Sequence, residues 1–141
     1  IGMCDGMKTG HNARAALMTR GLAEITRIGV ALGAEPETFL GLAGMGDLLL
    51  TCTGDLSRNR RVGLGLGQGR KLDEIVAELG EVAEGVRTTH AACRLAQSLG
   101  VDAPIANQVR MVLDGEKTPE EAGQTLMTRQ LKSERDQARA R

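Results

Sequence analysis

The chain has 141 residues, the size of one domain, with 18 basic against 18 acidic residues and no formal net charge. That balance argues against a nucleic-acid or anionic-membrane surface as its main business, and the lone aromatic, Phe39, removes base-stacking platforms. Hydrophobic residues make up 41%, and no apolar run approaches the ~18 residues of a membrane span, so a globular chain without membrane insertion is expected.

Residue 1 is Ile, and "IGMCDG" lacks the basic and apolar regions of a signal peptide. It reads as the tail of an apolar segment ending in a loop, and the chain reads as a piece of a longer protein. The first strong helix runs from about Asn12, a good N-cap, to Leu32. Leu17, Met18, Leu22, Ile25, Ile28 and Leu32 form its apolar stripe, and Gly33 stands where a left-handed residue would stop it. Pro36 suits a first turn, so a short helix to about Leu42 follows. The apolar run Leu48–Leu50 is too short for periodicity to decide, and its helical surroundings favour helix.

Ser57 offers the N-cap of a helix from Arg58 toward Leu66, with glycines at 63, 65, 67 and 69 forming its end or a loop. Asp73 to Leu79 is a short helix closed by Gly80. Thr88 or Thr89 starts the next, with Ala92, Leu95, Ala96 and Leu99 on one face. Asp102 and Pro104 open a helix whose face is Ile105, Val109 and Val112, with Gly115 after it. Thr118-Pro119-Glu120-Glu121 is a capping box that opens the last helix, to about Leu131, and residues 132–141 form a polar tail. No segment alternates at period two for long, so the expectation is an all-α domain of six to eight helices.

Cys4, Cys52 and Cys93 are odd in number and widely spaced, which suits a reducing, cytoplasmic compartment better than a disulfide framework. His11 and His90 are isolated, and no metal-ligand spacing is found. The glycine runs fail the dinucleotide fingerprint: 63–69 reads GxGxGxG, and Leu49 stands where the Gly44–Gly46 pair needs a third glycine. Helix ends and close packing are the simpler account. "SRNRR", residues 57–61, is locally inconsistent, because cations crowd the positive end of a helix. Ser57, free backbone N–H groups, Arg58 and Asn59 would hold a phosphate there; a solvated basic face is the alternative. Asp47, between Gly46 and an apolar run, is expected to be partly buried, as an N-cap, an Arg partner or an acid/base. Ten residues separate it from Ser57, so the two would face one cleft. Glu84 is expected in a loop.

Taken together, three strings resemble the bacterial-type NAD(P)-dependent glycerol-3-phosphate dehydrogenases. They are "NARAALMTRGLAEITRIGVALGAEPETFLGLAGMGDLLLTCTG", "SRNRRVGLGLGQG" and "EVAEGVRTTHAACRLAQSLGVDAPI". The resemblance covers nearly the whole chain to about Leu131. It implies a C-terminal all-helical domain of the 6-phosphogluconate-dehydrogenase kind, preceded in the whole enzyme by a Rossmann-type domain that binds NAD or NADP. It also implies reversible reduction of dihydroxyacetone phosphate to sn-glycerol 3-phosphate for phospholipid synthesis. Residue by residue, it places Asp47, Thr51, Ser57, Arg58 and Asn59 at the substrate, and Arg58, Val82 and Glu84 at the cofactor.

The family's catalytic Lys, in a Leu-Lys-Asn motif, would lie a few residues before Ile1, and Lys8 has no matching role. The resemblance therefore implies that these 141 residues alone lack dehydrogenase activity. The chain departs from the family at "DGMKTGHN", residues 5–12, where a glycine-rich loop is usual. The rival readings are another dehydrogenase of the same architecture, or a helical module for dimerisation; a homodimer is compatible with each.

Overall fold

A computed structural model of the chain describes residues 1–54, 57–80 and 84–129. Among these residues there is no strand. Nine α-helices and one π-helical turn follow in order: α1 (Gly2–Gly6), α2 (His11–Ala31), α3 (Pro36–Leu40), the π turn (Leu42–Gly46), α4 (Asp47–Thr53), α5 (Arg58–Gly67), α6 (Leu72–Leu79), α7 (Glu84–Ser98), α8 (Pro104–Leu113) and α9 (Pro119–Thr128). The all-α expectation holds, and the added helix is α1, which the sequence pattern assigned to a tail and loop. Five residues carry too little periodicity to announce a helix; α1 is held by its neighbour instead.

Local chemistry sets many of the boundaries. Thr118 accepts a hydrogen bond from the Glu121 N–H, and the Glu121 carboxylate accepts one from the Thr118 N–H, which closes the predicted capping box. Gly33, at φ +92°, ends α2 in a Schellman motif: its N–H donates to the Val30 carbonyl, and the Ala34 N–H donates to Gly29. Two starts differ from expectation. Helix α2 begins at His11 with Gly10 (φ +91°) at the cap and no side-chain cap bond, so Asn12 sits inside the first turn. A reversal within Met7–Gly10, with Lys8 at φ +56°, needs glycine more than it needs a side-chain cap. Helix α7 spans Glu84–Ser98, so Glu84, one turn upstream of Thr88, is helical and not in a loop.

The glycine run does hold the end of α5, which stops at Gly67 with Gly69 (φ +82°) closing it, but Gly63, Gly65 and Gly67 are also buried helical residues rather than a loop. Helix α1 lies parallel to α5 at backbone contact: Gly2 faces Arg60 and Gly63, and Gly6 faces Leu64 and Gly67. A Cβ at Gly63 would stand 3.0 Å from the Gly2 Cα. On the other face of α5, Val62 and Leu66 meet Ile75 of α6, Val112 of α8 and Ala122 of α9, with Met3 and Leu72 packed against them. This is the main core, and each buried Val, Leu or Ile side chain in it contributes up to about 1.5–3 kcal/mol.

A second set of contacts ties α2 to the C-terminal helices. Glu24 is 4% exposed and its two oxygens accept the N–H groups of Ile105 and Ala106, both at 2.9 Å, so α2 supplies the N-terminal cap that α8 lacks locally. Desolvation pushes its carboxyl above the ordinary carboxylate range, and the two backbone bonds oppose that rise. At the far end of α2, the outer edge of the Phe39 ring fills the space where Gly29 lacks a side chain. That contact folds α3 back on α2.

Candidate active site

Helix α5 begins where the sequence placed it. Ser57 is extended (φ −66°, ψ 111°) and its hydroxyl accepts the Arg60 N–H at 3.3 Å. Arg58 and Asn59 occupy the first turn and are exposed. The Asn59 Oδ1 accepts the N–H of Gly85, in the first turn of α7, at 3.0 Å. A Cβ at Gly85 would stand 2.5 Å from that same oxygen, so the approach requires glycine. The positive ends of two helices therefore meet at one corner, with Arg58 on one helix and Glu84 on the other. Such a corner suits an anionic phosphate and a hydroxyl-bearing neighbour, through N–H dipoles, a planar guanidinium and a carboxylate. Spacing alone did not bring Ser57–Asn59 and Glu84 together. Val82 lies outside the described residues, as does the expected polar tail.

Asp47 is exposed rather than partly buried, because Leu49 and Leu50 beside it are themselves 47% and 70% exposed. It is the first residue of α4, not its cap: the π turn runs straight into the helix and no side chain caps it. Gly44 in that turn lies against the Phe39 backbone, where a Cβ would clash. Thr51 is one helical turn after Asp47 on the same face, and its hydroxyl donates to the Asp47 carbonyl at 2.9 Å. The neighbouring stripe, Leu48 and Cys52, lines a cavity of about 850 Å³ bounded also by Met3, Leu17, Val109 and Leu126. Neither Asp47 nor Ser57–Asn59 lines this apolar cavity, so it is not where a phosphate would sit.

No sequence signal marked the bridge between these elements. Asp5 on α1 forms an ion pair with Arg60 of α5 at 2.8 Å and with Arg14 of α2 at 3.5 Å. Arg14 also donates to the Cys52 carbonyl, in the last turn of α4, at 2.8 Å. The shifted ionisations lie elsewhere. His90 is raised by its bond to the Val86 carbonyl and then by Asp114, whose carboxyl is lowered chiefly by His90. The Cys93 thiol is raised by burial. Among the described residues, no three His, Cys, Asp or Glu side chains gather as metal ligands, and no helix is long and apolar enough to cross a membrane.

Residues 1–124 match the family described as NAD-dependent glycerol-3-phosphate dehydrogenase C-terminus. The chain is 60% identical over 134 residues to the glycerol-3-phosphate dehydrogenase [NAD(P)+] of Geobacter sulfurreducens, which covers 95% of this chain and 40% of that protein. It is 62% identical over 133 residues to the enzyme of the same name from Dechloromonas aromatica, covering 94% and 40%. A crystal structure of glycerol-3-phosphate dehydrogenase from Coxiella burnetii superposes with a TM-score of 0.87 at 45% identity, over 91% of this chain and 39% of that one. The chain thus spans about 40% of the length of the relatives it matches.

Proposed function

The chain belongs to the NAD-dependent glycerol-3-phosphate dehydrogenase C-terminal family, and on that premise we propose that it is the substrate-holding domain of a cytoplasmic oxidoreductase. The reaction is the interconversion of dihydroxyacetone phosphate and sn-glycerol 3-phosphate with NAD or NADP, feeding glycerophospholipid synthesis. The observation that carries this reading is the corner where Asn59 meets Gly85, because it joins the first turn of α5, which carries Arg58, to the first turn of α7. Arg58, with the α5 N–H groups, Ser57 and Asn59, grips the substrate phosphate. Arg58, Glu84 and, in the sequence correspondence, Val82 form the edge that meets the cofactor. The polarity of that corner fits a nicotinamide dinucleotide, whose phosphates and ribose hydroxyls call for N–H donors, a guanidinium and a carboxylate. When bound, that cofactor supplies or accepts the hydride. Asp47 and Thr51 face the reacting end of the substrate, where Asp47 tunes by its charge the Lys that protonates the C2 oxygen.

The direction of α1 supports the same arrangement. Because α1 runs parallel to α5, a helix extended upstream of Ile1 rises toward Ser57–Asn59 at about 1.5 Å per residue. A Lys a few residues upstream would then reach the substrate held at that turn. The N-terminal Rossmann-type domain is the occupant we assign to the apolar surface of α3, the π turn and α4, where Leu40, Leu42 and Leu50 are 62%, 91% and 70% exposed.

The test is turnover by the full-length protein: oxidation of NADH or NADPH with dihydroxyacetone phosphate. Activity that falls by about 10²-fold or more in Arg58→Ala supports substrate and clamp together. Arg58→Lys should also lose most activity, since the planar fork is gone. Full-length protein with no turnover would refute the substrate assignment, and an unaffected Arg58→Ala would refute the clamp. The 141-residue chain by itself is expected to be inactive.

A further inference from the structure

Three charged side chains with no assigned role bind together the elements that carry the site. Asp5, Arg14 and Arg60 are only 17%, 22% and 18% exposed at the side chain, on α1, α2 and α5. Arg60 gives both its Nε (3.0 Å) and an Nη (2.8 Å) to one oxygen of Asp5, while Arg14 approaches the other. Residues 58 and 60 lie about 200° apart around a helix, so holding Arg60 inward against α1 turns Arg58 outward. Ser57 secures the same residue from the backbone side, through the Arg60 N–H. The second arm reaches α4. Its last carbonyls lack helical partners, and Arg14 satisfies that of Cys52 from the end where a cation is favoured.

We propose that Asp5 is a positioning residue for the dehydrogenase reaction, with Arg60 setting the phosphate-gripping turn of α5 and Arg14 setting α4. This role rests on the function proposed above. The geometry gives it leverage. Asp47 lies five residues, about 7.5 Å, from the carbonyl that Arg14 holds, so an α4 swing of about 8° moves Asp47 by about 1 Å. A misplacement of that size costs on the order of 10²-fold in rate. The pairs span from 9 to 55 residues of sequence, and α1 meets both arms through one carboxylate.

The experiment uses the full-length protein and the variants Asp5→Asn, Arg14→Met, Arg60→Lys and the Asp5→Asn/Arg60→Lys double, with folding checked by far-UV circular dichroism and melting. Expected is a loss of about 10–100-fold in kcat/KM for dihydroxyacetone phosphate, with kcat falling by more than the KM for either substrate rises. The double variant should be little worse than Asp5→Asn alone, since the Asp5–Arg60 pair that Arg60→Lys perturbs is already gone in Asp5→Asn. Variants that melt earlier but keep wild-type kcat/KM would show a merely structural bridge and overturn the proposal. Wild type without turnover would instead refute the functional reading, and with it this role. Equal losses in the two single variants that multiply in the double would overturn the coupling between Asp5 and Arg60.

Discussion

Replacing Gly67 by alanine sets two known effects against each other. Intrinsic helix propensity favours alanine by about 1 kcal/mol in a helix interior and by less at Gly67, the last residue of α5. At Gly67 the new Cβ would stand 3.0 Å from the Met3 Cα and carbonyl carbon, and closer still to the Met3 oxygen. Carbon contacts are comfortable at about 3.5–4.0 Å, so α1 and α5 must part by about 0.5–1 Å. The obstacles are backbone atoms, which no rotamer change can move aside. Overpacking that shifts backbone costs about 1–3 kcal/mol or more, so the contact outweighs the propensity gain and net destabilisation of about 1–2 kcal/mol is expected. Gly21→Ala is the internal control: nothing lies within 4 Å of its Cβ position in α2, and a gain of about 0.5–1 kcal/mol is expected there. Urea unfolding of both variants, followed by circular dichroism, reads the difference. If Gly67→Ala matched Gly21→Ala, the close α1–α5 contact would be refuted.

Glu24→Ala should destabilise by about 2–4 kcal/mol, because two N–H groups at the start of α8 lose the carboxylate that accepts them. The wild type carries a pH signature there: with the Glu24 carboxyl raised, its contribution is full below the ordinary 4.5 and falls as pH climbs through the raised value. Glu24→Gln, measured beside wild type in urea from pH 4 to 8, should lack that downward component; identical slopes would contradict the burial argument. The His90 ring carbons, followed by NMR, should titrate above 6.5, since Val86 and Asp114 accept from both ring nitrogens only in the imidazolium. The His90 contribution to stability is therefore present below 6.5 and lost as pH rises through the raised value, and Asp114→Asn should bring the midpoint down. Thr118→Ala should cost about 1 kcal/mol by opening the capping box of α9, visible as faster amide exchange in that helix; unchanged exchange would count against it.

Boundaries written in local chemistry were legible. Thr118–Glu121, Ser57, Gly33 and Gly80 each carry their reason within four residues. What depended on distant partners was not. That α5 ends at its glycine run was legible; that Gly63 and Gly67 are also buried was not, because the reason is Gly2 and Met3, some 60 residues earlier. Asp5, Arg14 and Arg60 have no spacing that predicts their meeting. The site divides the same way. The Ser57–Asn59 turn announced itself by cations at the wrong end of a helix, whereas its contact with Glu84–Gly85 is tertiary. The expected burial of Asp47 failed because only Leu48 of the apolar run beside it turns inward, while Leu49 and Leu50 face outward.

The contact between Phe39 and Gly29 has an optical and magnetic corollary. The chain contains no Trp or Tyr, so it is nearly transparent at 280 nm and has no intrinsic indole or phenol fluorescence. A Trp introduced at an exposed position, or one carried by a bound partner, would therefore report against a dark background. Phe39 is also the only benzenoid ring available to shift neighbouring proton signals. The two α-protons of Gly29 sit at its edge and should resonate away from every other glycine pair in the chain. Their collapse to ordinary positions would register the lifting of α3 from α2 before any change in helicity.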